Sequence, residues 1–521
     1  MGDSYQPKPP SDLSDKIHEI ASMYKTGRYD EALDHVSQLS ESEKRNTHVQ
    51  NLKGLIFIAL DRTADARKIF QKLIDARQMM SEAYANMGLL ERKKGDLSAA
   101  KSFYQTAIDL KPNVGHLYFN LANVQLDCSD YENAIINYKE ALSRNPVFVE
   151  GFHNLGVAQN MGGDPTAAEK SFLKAILIQE NYRPSLEELA KYYRDIGDIK
   201  SSLDTYKKIA KFFPNYSEAR VRWLGIAIQT MQLEDINFFK EYELTAILKK
   251  HLDLHPRYQI YMAIYSLICR NYQELRYHLA CYSTLSEGGI VQKNAQIDFR
   301  FCNAFVNILK NHLKNEAPKH PHKQLFHFGE SHCLTISNQV INVEGEKRQV
   351  QSRITFGAKA HHFAQAGPNR FKTITSISLT KIPPKSRVLL SFGEIDCRAK
   401  EGFIPAASKL GVPLEVLISR TIHGYVAWFE ETNKSCEHVF YFVGVPAPMY
   451  KENLSGAVNL SLSNVVKEFN SQLKNHVEKR GLRFVDLHEA TSNASGFSNQ
   501  TLNVDATHLG IAAKTVFEAQ M

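Results

Sequence analysis

A spacing of 34 residues recurs through the first half of the chain and constrains its fold more than any other feature. Small residues recur at this interval, an apolar or aromatic residue follows each of them by four positions, and a second series of small residues keeps the same period. The three series are Ala32, Ala66, Ala100, Ala134, Ala168 and Ser202; Val36, Phe70, Tyr104, Tyr138, Phe172 and Tyr206; and Gly54, Gly88, Ala122, Gly156 and Ala190. A fixed period of this kind indicates stacked copies of one helical unit. We expect six repeats over residues 13–216, after a flexible N-terminus at residues 1–12.

These series resemble the tetratricopeptide repeat (TPR) family, in which small residues let antiparallel helices approach closely and an aromatic side chain fills the gap above them. The resemblance implies an all-α TPR superhelix whose groove binds a peptide or another protein. Asn86, Asn120 and Asn154 share one repeat position. They resemble the asparagine ladder of the O-GlcNAc transferase superhelix, whose carboxamides bind a peptide backbone by donating and accepting hydrogen bonds. The alternative is that asparagine merely suits an exposed helix face.

The pattern after residue 216 stays helical but loses the period. We expect residues 217–316 to form a helical segment that caps the repeats and connects them to the next domain. A linker at residues 317–323 follows, and its two histidines, His320 and His322, are expected to be solvated rather than bound to a metal.

Short β-rich runs then alternate with long amphipathic stretches. This alternation predicts an α/β domain over residues 324–521, with a parallel sheet between helical layers. The predicted strands are residues 324–328, 350–356, 387–392, 439–445 and 483–487. Ligands of such sheets bind beyond the carboxyl ends of the strands, so the residues that directly follow each strand are the candidates for a site.

Four short motifs follow these strands. They are Gly329-Glu330-Ser331-His332, Gly357, Gly393-Glu394-Ile395-Asp396 and, near the chain end, Asp505-Ala506-Thr507-His508. Their order resembles the SGNH (GDSL) hydrolase family over about residues 324–521. The resemblance implies a flavodoxin-like three-layer α/β fold and a serine esterase or acyltransferase that needs no cofactor and acts on an acyl ester, including one on a carbohydrate or a protein.

The resemblance also gives each site residue a role. Ser331 is the nucleophile, His508 is the general base and then the acid, and Asp505 orients His508. A serine hydroxyl needs such a base because it is a weak nucleophile alone. The backbone N–H groups of Ser331 and Gly357 are the expected oxyanion donors.

One departure from the family pattern bears on activity. The family's third motif carries an asparagine that donates to the oxyanion, and this chain has Ile395 there. Losing one such donor costs about a hundredfold or more in turnover. Arg398 and Asn369 are the alternative donors, and Arg398 is preferred because charged donors bind an oxyanion more strongly. The competing hypotheses are a scaffold whose hydrolase-like domain has lost catalysis and a glycan-processing transferase.

Other reactive side chains have weaker cases. Glu330 retains the carboxylate of the family's aspartate, and His332 is expected to be structural rather than in contact with substrate. Asp396 is expected to cap a helix or a loop, and Cys397 to be buried rather than nucleophilic. A metal site made of His332 and the two histidines at 361 and 362 is not expected, because no spaced carboxylate or cysteine accompanies them.

Composition adds expectations about setting and partners. The formal net charge of +7 is spread over the chain, which gives no case for nucleic acid. No segment is long and apolar enough to predict a membrane span, and no signal peptide is recognised. The seven cysteines include no C-x-x-C pair, so we expect a reducing, cytoplasmic setting without a disulfide framework.

Overall fold

The computed structural model describes residues 13–233, 236, 255–287, 295–314, 322–505 and 507–521. The expected flexible N-terminus, residues 1–12, lies outside the described residues, and so does most of the predicted linker, of which only residues 322 and 323 are described. The chain divides into two compact units between Leu189 and Ala190. We call them the N-terminal unit and the C-terminal unit.

Paired helices build the N-terminal unit. Its helices are α1 (Leu13–Lys25), α2 (Tyr29–Gln38), the short α3 (Glu41–Lys44), α4 (Thr47–Ala59), α5 (Thr63–Asp75), α6 (Met80–Lys94), α7 (Leu97–Leu110), α8 (Gly115–Asp127), α9 (Tyr131–Arg144), α10 (Val149–Met161), α11 (Pro165–Ile178) and the beginning of α12 (Arg183–Ile196). Aspartates at one repeat position start the second helix of successive pairs. Asp96, Asp130 and Asp164 each accept a hydrogen bond from the backbone N–H three residues later, at 3.0, 3.4 and 2.9 Å. Such caps satisfy backbone donors that a helix leaves unpaired at its start.

The small residues of the repeat lie where aromatic rings leave no room for a side chain. A Cβ added to Gly54 would lie 2.5 Å from the ring of Phe70, and one added to Gly156 would lie 2.6 Å from Phe172. Real Cβ contacts are not this short, so only glycine fits without a shift of the ring. This packing confirms the predicted contact between small and aromatic residues of paired helices.

The C-terminal unit begins with helices and continues into the sheet. After the end of α12 come α13 (Ile199–Phe212), α14 (Ser217–Gln229), α15 (Pro256–Ile268), α16 (Tyr272–Glu287) and α17 (Ala295–Leu313). They bond directly to the α/β part: Asn338 Nδ2 donates to the carbonyl of Leu267 at 2.6 Å, and Ser378 Oγ donates to that of Gln229 at 2.6 Å. These helices therefore belong to the same compact unit as the sheet, and this unit begins at Ala190.

A six-stranded sheet forms the centre of the α/β part. Its strands are β1 (Lys323–Gly329), β2 (Val340–Val343), β3 (Glu346–Ile354), β4 (Arg387–Ser391), β5 (Val439–Val443) and β6 (Arg483–Val485), in the spatial order β2-β3-β1-β4-β5-β6. All neighbours are parallel except β2, which pairs with β3 as an antiparallel hairpin. The structure has a strand at each of the five predicted positions and adds β2. Numbered alone, the parallel strands have the order 2-1-3-4-5, one of the two common doubly wound orders.

Helices cover both faces of this sheet. They are α18 (Ala360–Ala364), α19 (Arg370–Thr380), α20 (Phe403–Leu410), α21 (Leu414–Asn433), α22 (Gly456–Glu478), α23 (Leu487–Thr491) and α24 (Lys514–Gln520), with 3₁₀ turns at Ser331–Leu334, Ile395–Cys397 and Ile511–Ala513. Alternate residues of β1 enter different cores, since Phe326 and Phe328 pack with α18 to α22 while Leu325 packs with Phe517 of α24. The predicted α/β domain with a mostly parallel sheet is confirmed.

Candidate active site

The structure brings three of the predicted site residues into one chain of hydrogen bonds. Ser331 begins the 3₁₀ turn directly after β1, and its Oγ lies 3.0 Å from Nε2 of His508. Nδ1 of His508 lies 3.0 Å from each carboxylate oxygen of Asp505. Ser331 and His508 are nearly fully buried, at 1% and 2% exposure. A serine, a histidine and a carboxylate in this order form the arrangement that activates a serine hydroxyl.

A tight turn fixes the histidine and its carboxylate. Oδ1 of Asp505 accepts the backbone N–H groups of Thr507 and His508, both at 2.8 Å; Ala506 lies outside the described residues. Burial by itself raises the pKa of Asp505, but the hydrogen bonds and charge of His508 outweigh it and lower the pKa to about 2. Asp505 is therefore a carboxylate at neutral pH. Because it can only accept, Nδ1 of His508 carries the hydrogen that it shares with Asp505, and Nε2 faces the hydroxyl of Ser331.

Glu330 contacts the nucleophile itself. Its Oε2 accepts the backbone N–H of Ser331 at 2.6 Å and also a close hydrogen bond from the Ser331 hydroxyl. The hydroxyl proton thus has two acceptors, Glu330 and His508. The sequence indicated only that a carboxylate precedes the serine; that this carboxylate folds back onto its neighbour depends on the local turn.

His332 links the two segments that carry the site. It is 8% exposed, its Nε2 lies 3.1 Å from the carbonyl oxygen of Thr507, and its ring centroid lies 5.1 Å from that of His508. Burial, and then the charge of His508, lower the pKa of His332, so the ring is neutral and donates through Nε2. The expected structural role matches this contact, which ties the turn after β1 to the turn of His508.

Two of the predicted oxyanion donors, Gly357 and Arg398, lie in different surroundings. Gly357 follows β3 with a left-handed φ of 69°, and the nearby Thr355 N–H donates to the Gly329 carbonyl at 2.8 Å, which ties the ends of β3 and β1 together. Arg398 instead holds Glu394, with Nε 3.1 Å from both carboxylate oxygens and one Nη 2.7 Å from Oε2. The guanidinium is therefore committed to an ion pair beside the site.

Asn369, the other alternative donor, caps a helix. Its side-chain oxygen accepts the N–H groups of Phe371 and Lys372 at the start of α19, both at 3.1 Å, and its amide donates to the carbonyl of His362 at 2.8 Å. The structure thus gives this carboxamide partners in its own loop rather than at Ser331.

The turn after β4 is structural. Asp396 is 2% exposed and accepts the N–H groups of Ala360 at 2.7 Å and His361 at 3.3 Å, which caps α18. Burial raises its pKa to about 7 even though these hydrogen bonds act in the opposite direction. Ile395 and Cys397 on either side are buried, and burial raises the pKa of the Cys397 thiol. A thiol is a poor nucleophile when it stays protonated, so Ser331 is the better candidate.

The remaining sequence candidates do not form a metal site. The His362 ring stacks on Phe371 with centroids 3.8 Å apart, and its centroid lies 6.4 Å from that of His361. Within the described ranges, no group of three or more His, Cys, Asp or Glu side chains is arranged to hold a metal ion. Cys128, Cys281, Cys333, Cys397 and Cys436 have free thiols.

A cavity of about 350 Å³ opens beside the site. Thr507, the neighbour of His508, lines it together with Glu394 and Arg398. An apolar wall comes from the segment after β5 and from α22, and Lys451 and Asn453 of the same segment add polar groups to the lining. The apolar residues are Val445, Pro446, Ala447, Pro448, Met449, Leu454, Leu462 and Val466. Such a cavity fits an organic group with an apolar part and a polar end.

The asparagines of the repeat pair with asparagines of earlier helices. Nδ2 of Asn86 donates to Oδ1 of Asn51 at 2.7 Å, and Nδ2 of Asn154 donates to Oδ1 of Asn123 at 2.9 Å. Asn120 is half-buried like the other two. Each amide has two hydrogens and an acceptor oxygen, so these pairs leave hydrogen-bonding capacity for a ligand.

Comparison with known proteins bears on the repeats. Family models described as tetratricopeptide repeat match residues 22–78, 81–114 and 115–148, which confirms the predicted repeats there. Two human proteins named Protein O-mannosyl-transferase, TMTC1 and TMTC3, are 22% and 23% identical over 178 and 204 residues, and the matches cover 33% and 32% of this chain. The chain spans about a fifth of the length of these two relatives, at 20% and 22%.

Solved structures similar to this chain include the C-terminal part of a TPR repeat-containing protein from Cytophaga hutchinsonii, at 18% identity and a TM-score of 0.33, covering 54% of this chain and 98% of that one. MamA is 16% identical with a TM-score of 0.30, and the match covers 32% of this chain and 96% of that one. Across the described part of the chain, no helix has both the length and the apolar character that crossing a bilayer requires.

Proposed function

We propose that the C-terminal unit is an SGNH-type serine ester hydrolase or acyl transferase. The observation that carries the proposal is the hydrogen-bonded series Ser331, His508 and Asp505, with each donor–acceptor pair at 3.0 Å. Its position supports the proposal further. Ser331 follows β1, and β1 and β4 lie where the order of the parallel strands reverses, which is where doubly wound sheets bind ligands.

In the proposed reaction, Nε2 of His508 takes the Ser331 proton as Oγ attacks the acyl carbon of an ester. The N–H groups of Ser331 and Gly357 stabilise the oxyanion, so the Ser331 N–H leaves its contact with Glu330. The C–O bond to the alcohol then breaks, and the alcohol takes the proton from His508. Water resolves the acyl-Ser331 intermediate in hydrolysis, and a sugar hydroxyl does so in transfer.

The substrate is proposed to be an acyl ester on a glycan or a protein. The apolar wall of the cavity beside the site suits an acyl group, and the Glu394–Arg398 pair and Thr507 suit a polar alcohol. The repeats are proposed to bind the peptide or protein that carries the ester or recruits the enzyme, through Asn86, Asn120 and Asn154. Because the seven cysteines are odd in number and include no C-x-x-C pair, we also propose a reducing, cytoplasmic setting.

The test of the groove is peptide capture. A random peptide library is panned on the full chain and on the triple variant with Asn86, Asn120 and Asn154 changed to alanine. Peptides that bind the wild type and lose at least tenfold in affinity for the variant support the ladder. Equal affinity for both proteins contradicts it.

The test of the reaction is hydrolysis of p-nitrophenyl acetate by the full chain. We expect turnover by the wild type and its loss in Ser331→Ala. Ser337→Ala is the matched control, because Ser337 is 1% exposed and its Oγ has no hydrogen-bond partner among the described residues. Equal rates in the wild type and Ser331→Ala contradict the proposal.

The second candidate function is an adaptor whose hydrolase-like domain binds a ligand without turnover. Ile395 favours it, since isoleucine donates no hydrogen bond, and Arg398 and Asn369 are engaged with other partners. Folded wild-type protein without activity on any ester of a panel from acetate to octanoate supports the adaptor and contradicts the enzyme.

A transferase role is the third candidate, favoured by the names of the two human relatives, which are mannosyl-transferases. Methyl mannoside added to the ester assay tests acyl transfer, because a transferase forms acylated sugar at the expense of free acid. Glycosyl transfer itself would require binding of a nucleotide or lipid-linked sugar.

A further inference from the structure

A second cavity, of about 270 Å³, lies within the C-terminal unit and is lined by four arginines. Arg194, Arg222 and Arg257 come from the helices that precede the sheet, and Arg370 comes from α19. Rings including those of Tyr261 and Phe356 complete its wall. We call it the arginine pocket. None of Ser331, His508 and Asp505 lines it, and Gly357 is its one residue in common with the candidate active site.

Two carboxylates outside the lining pair with arginines of the arginine pocket. Asp195 pairs with Arg194 at 2.9 Å and with Arg370 at 3.2 Å, and Glu218 pairs with Arg222 and with His255, at 2.5 and 3.1 Å. All charged side chains among the described lining residues of the cavity are arginines. Burial, and then the charge of Arg194, lower the pKa of Arg370. Burial also disfavours the charge of Arg222, but the charge and hydrogen bond of Glu218 outweigh it and raise the pKa of Arg222.

Two helix starts add to this positive field. Arg370 is the first residue of the 11-residue helix α19, and Arg257 is the second residue of the 13-residue helix α15. The N-terminus of a helix carries a partial positive charge, which favours anions. At α19 the Asn369 side chain already accepts the N–H groups of Phe371 and Lys372, so the helix start acts there through its partial charge. Here the helix starts reinforce guanidinium groups that already line a cavity.

The aromatic side of the arginine pocket is a packed wall. Tyr261 stacks on Phe356 with centroids 5.1 Å apart and an interplanar angle of 28°, and Phe301 meets the two rings at 5.9 and 5.7 Å. Gln229 accepts the backbone N–H of Phe356 at 2.9 Å and so fixes the segment after β3 against this wall.

The arginines lie against rings of the same lining: the Arg257 guanidinium is 4.9 Å from the Phe301 centroid, and that of Arg370 is 4.5 Å from the Phe371 centroid. A lining that combines guanidinium groups with rings fits a ligand with an anionic group and a planar or apolar part.

We infer that the arginine pocket binds a small organic phosphate. A phosphate presents several oxygens to the paired N–H groups of guanidinium, which bind such groups more strongly and more directionally than ammonium does. At about 270 Å³ the cavity is slightly smaller than the usual range for small-molecule sites, about 300–1,000 Å³, so it fits a phosphate attached to one ring system rather than a long chain. This site does not depend on the proposed ester chemistry.

The test is isothermal titration calorimetry on the full chain with phenyl phosphate and AMP as probes. Phenol and adenosine are the uncharged controls, and benzoate is the singly charged control. We expect binding of one phenyl phosphate or AMP per chain, at least tenfold tighter than benzoate, and no binding of phenol or adenosine. Benzoate binding as tightly as phenyl phosphate, or no binding of either phosphate, overturns the inference.

Variants locate the site. Arg370→Gln is expected to weaken AMP binding at least tenfold, and Arg370→Lys to recover only part of it because ammonium lacks the paired geometry. Arg222→Gln is the second variant, should the first not fold as judged by near-UV circular dichroism. Arg420→Gln, on the exposed side of α21, is the matched control and retains wild-type affinity. Wild-type affinity in both Arg370→Gln and Arg222→Gln overturns the inference.

The two proposals fail separately. Ser331→Ala, which removes the proposed nucleophile, is expected to bind AMP as the wild type does. If Ser331→Ala loses ester hydrolysis but still binds AMP, the inference about the arginine pocket stands. If Arg370→Gln loses AMP binding but Ser331 still reacts, the proposed ester chemistry stands.

Discussion

The two units of the molecule place their important contacts at very different sequence separations. In the N-terminal unit, Gly156 meets Phe172 of the next helix, and Asn86 meets Asn51, two helices earlier, across 35 positions. In the C-terminal unit, Ser331 meets His508 across 177 positions and His332 meets the Thr507 carbonyl across 175. A repeat can therefore lose one contact locally, whereas the site exists only when the whole sheet has formed.

The largest expected effect lies in the turn that orients His508 toward Ser331. Asp505→Asn replaces a carboxylate that holds Nδ1–H of His508 with an amide that can present N–H to it. The favoured tautomer then carries its hydrogen on Nε2, toward Ser331, so we expect ester hydrolysis to fall by about 10⁴-fold, as in a serine protease with this change. The rates are compared with those of Asp486→Asn, a carboxylate that caps α23. A loss below about tenfold would show that Asp505 does not orient the base.

A buried carboxylate in the same unit is expected to make stability depend on pH. The pKa of Asp396 is raised to about 7 in the folded protein, against a model-compound value of 3.8, so the folded state keeps a proton that the unfolded state loses between about pH 4 and 7. The free energy of unfolding therefore falls as pH rises through this window. Each pKa unit corresponds to about 1.4 kcal/mol, so the free energy of unfolding falls by at most about 4 kcal/mol.

Urea denaturation of the wild type and Asp396→Asn at pH 5 and pH 8 measures this contribution. The readout is the difference between the two proteins, because other groups also titrate. Burial, and then the charge of His332, lower the pKa of His327 to about 3, so this histidine increases stability as pH rises from about 3 to 6.5. We expect the wild type to lose more stability than the variant between the two pH values. Equal changes would contradict the assignment.

The next effect is confined to the repeats. Gly156→Ala places a Cβ 2.6 Å from the Phe172 ring, and we expect this overpacking to destabilise the protein by about 1–3 kcal/mol. Gly456→Ala, where an added Cβ meets nothing within 4 Å, is the control. Ester hydrolysis at a temperature where both variants are folded should match the wild type. If Gly156→Ala slows hydrolysis severalfold, the two units are coupled and the contrast between them is broken.

The smallest effect separates a cap from an oxyanion donor. Asn369→Ala removes the cap of α19, which we expect to cost about 1 kcal/mol of stability. Hydrolysis should stay within about twofold of the wild type, because the amide bonds its own loop. A hundredfold loss of rate in a variant that still folds would instead indicate that Asn369 donates to the oxyanion, because losing one such donor lowers turnover by about a hundredfold or more.

The difference between the units also explains what could be predicted from sequence. The packing of Gly54 on Phe70 could be predicted from the 34-residue period, because the same pair of positions recurs in successive repeats. The five parallel strands were predictable from β-rich runs. The hairpin strand Val340–Val343 was not, since four residues give too short a signal.

Motifs predicted the meeting of Ser331, Asp505 and His508, because residues after parallel strands gather at one edge of a sheet. The partners of Glu330 and Asn369 were not predictable, since a carboxylate or an amide bonds whichever backbone groups the loop brings near. The arginines of the arginine pocket share no spacing between positions 194 and 370, so only the tertiary fold reveals them as a group.

The central claim is that Ser331 is a nucleophile activated by His508. The most direct measurement is treatment of the full chain with a fluorophosphonate, followed by mass spectrometry of the intact protein and its peptides. The account predicts one adduct, on Ser331, that is absent from His508→Ala and present in Ser337→Ala. Folded wild-type protein that forms no adduct, or forms it equally without His508, would contradict the account.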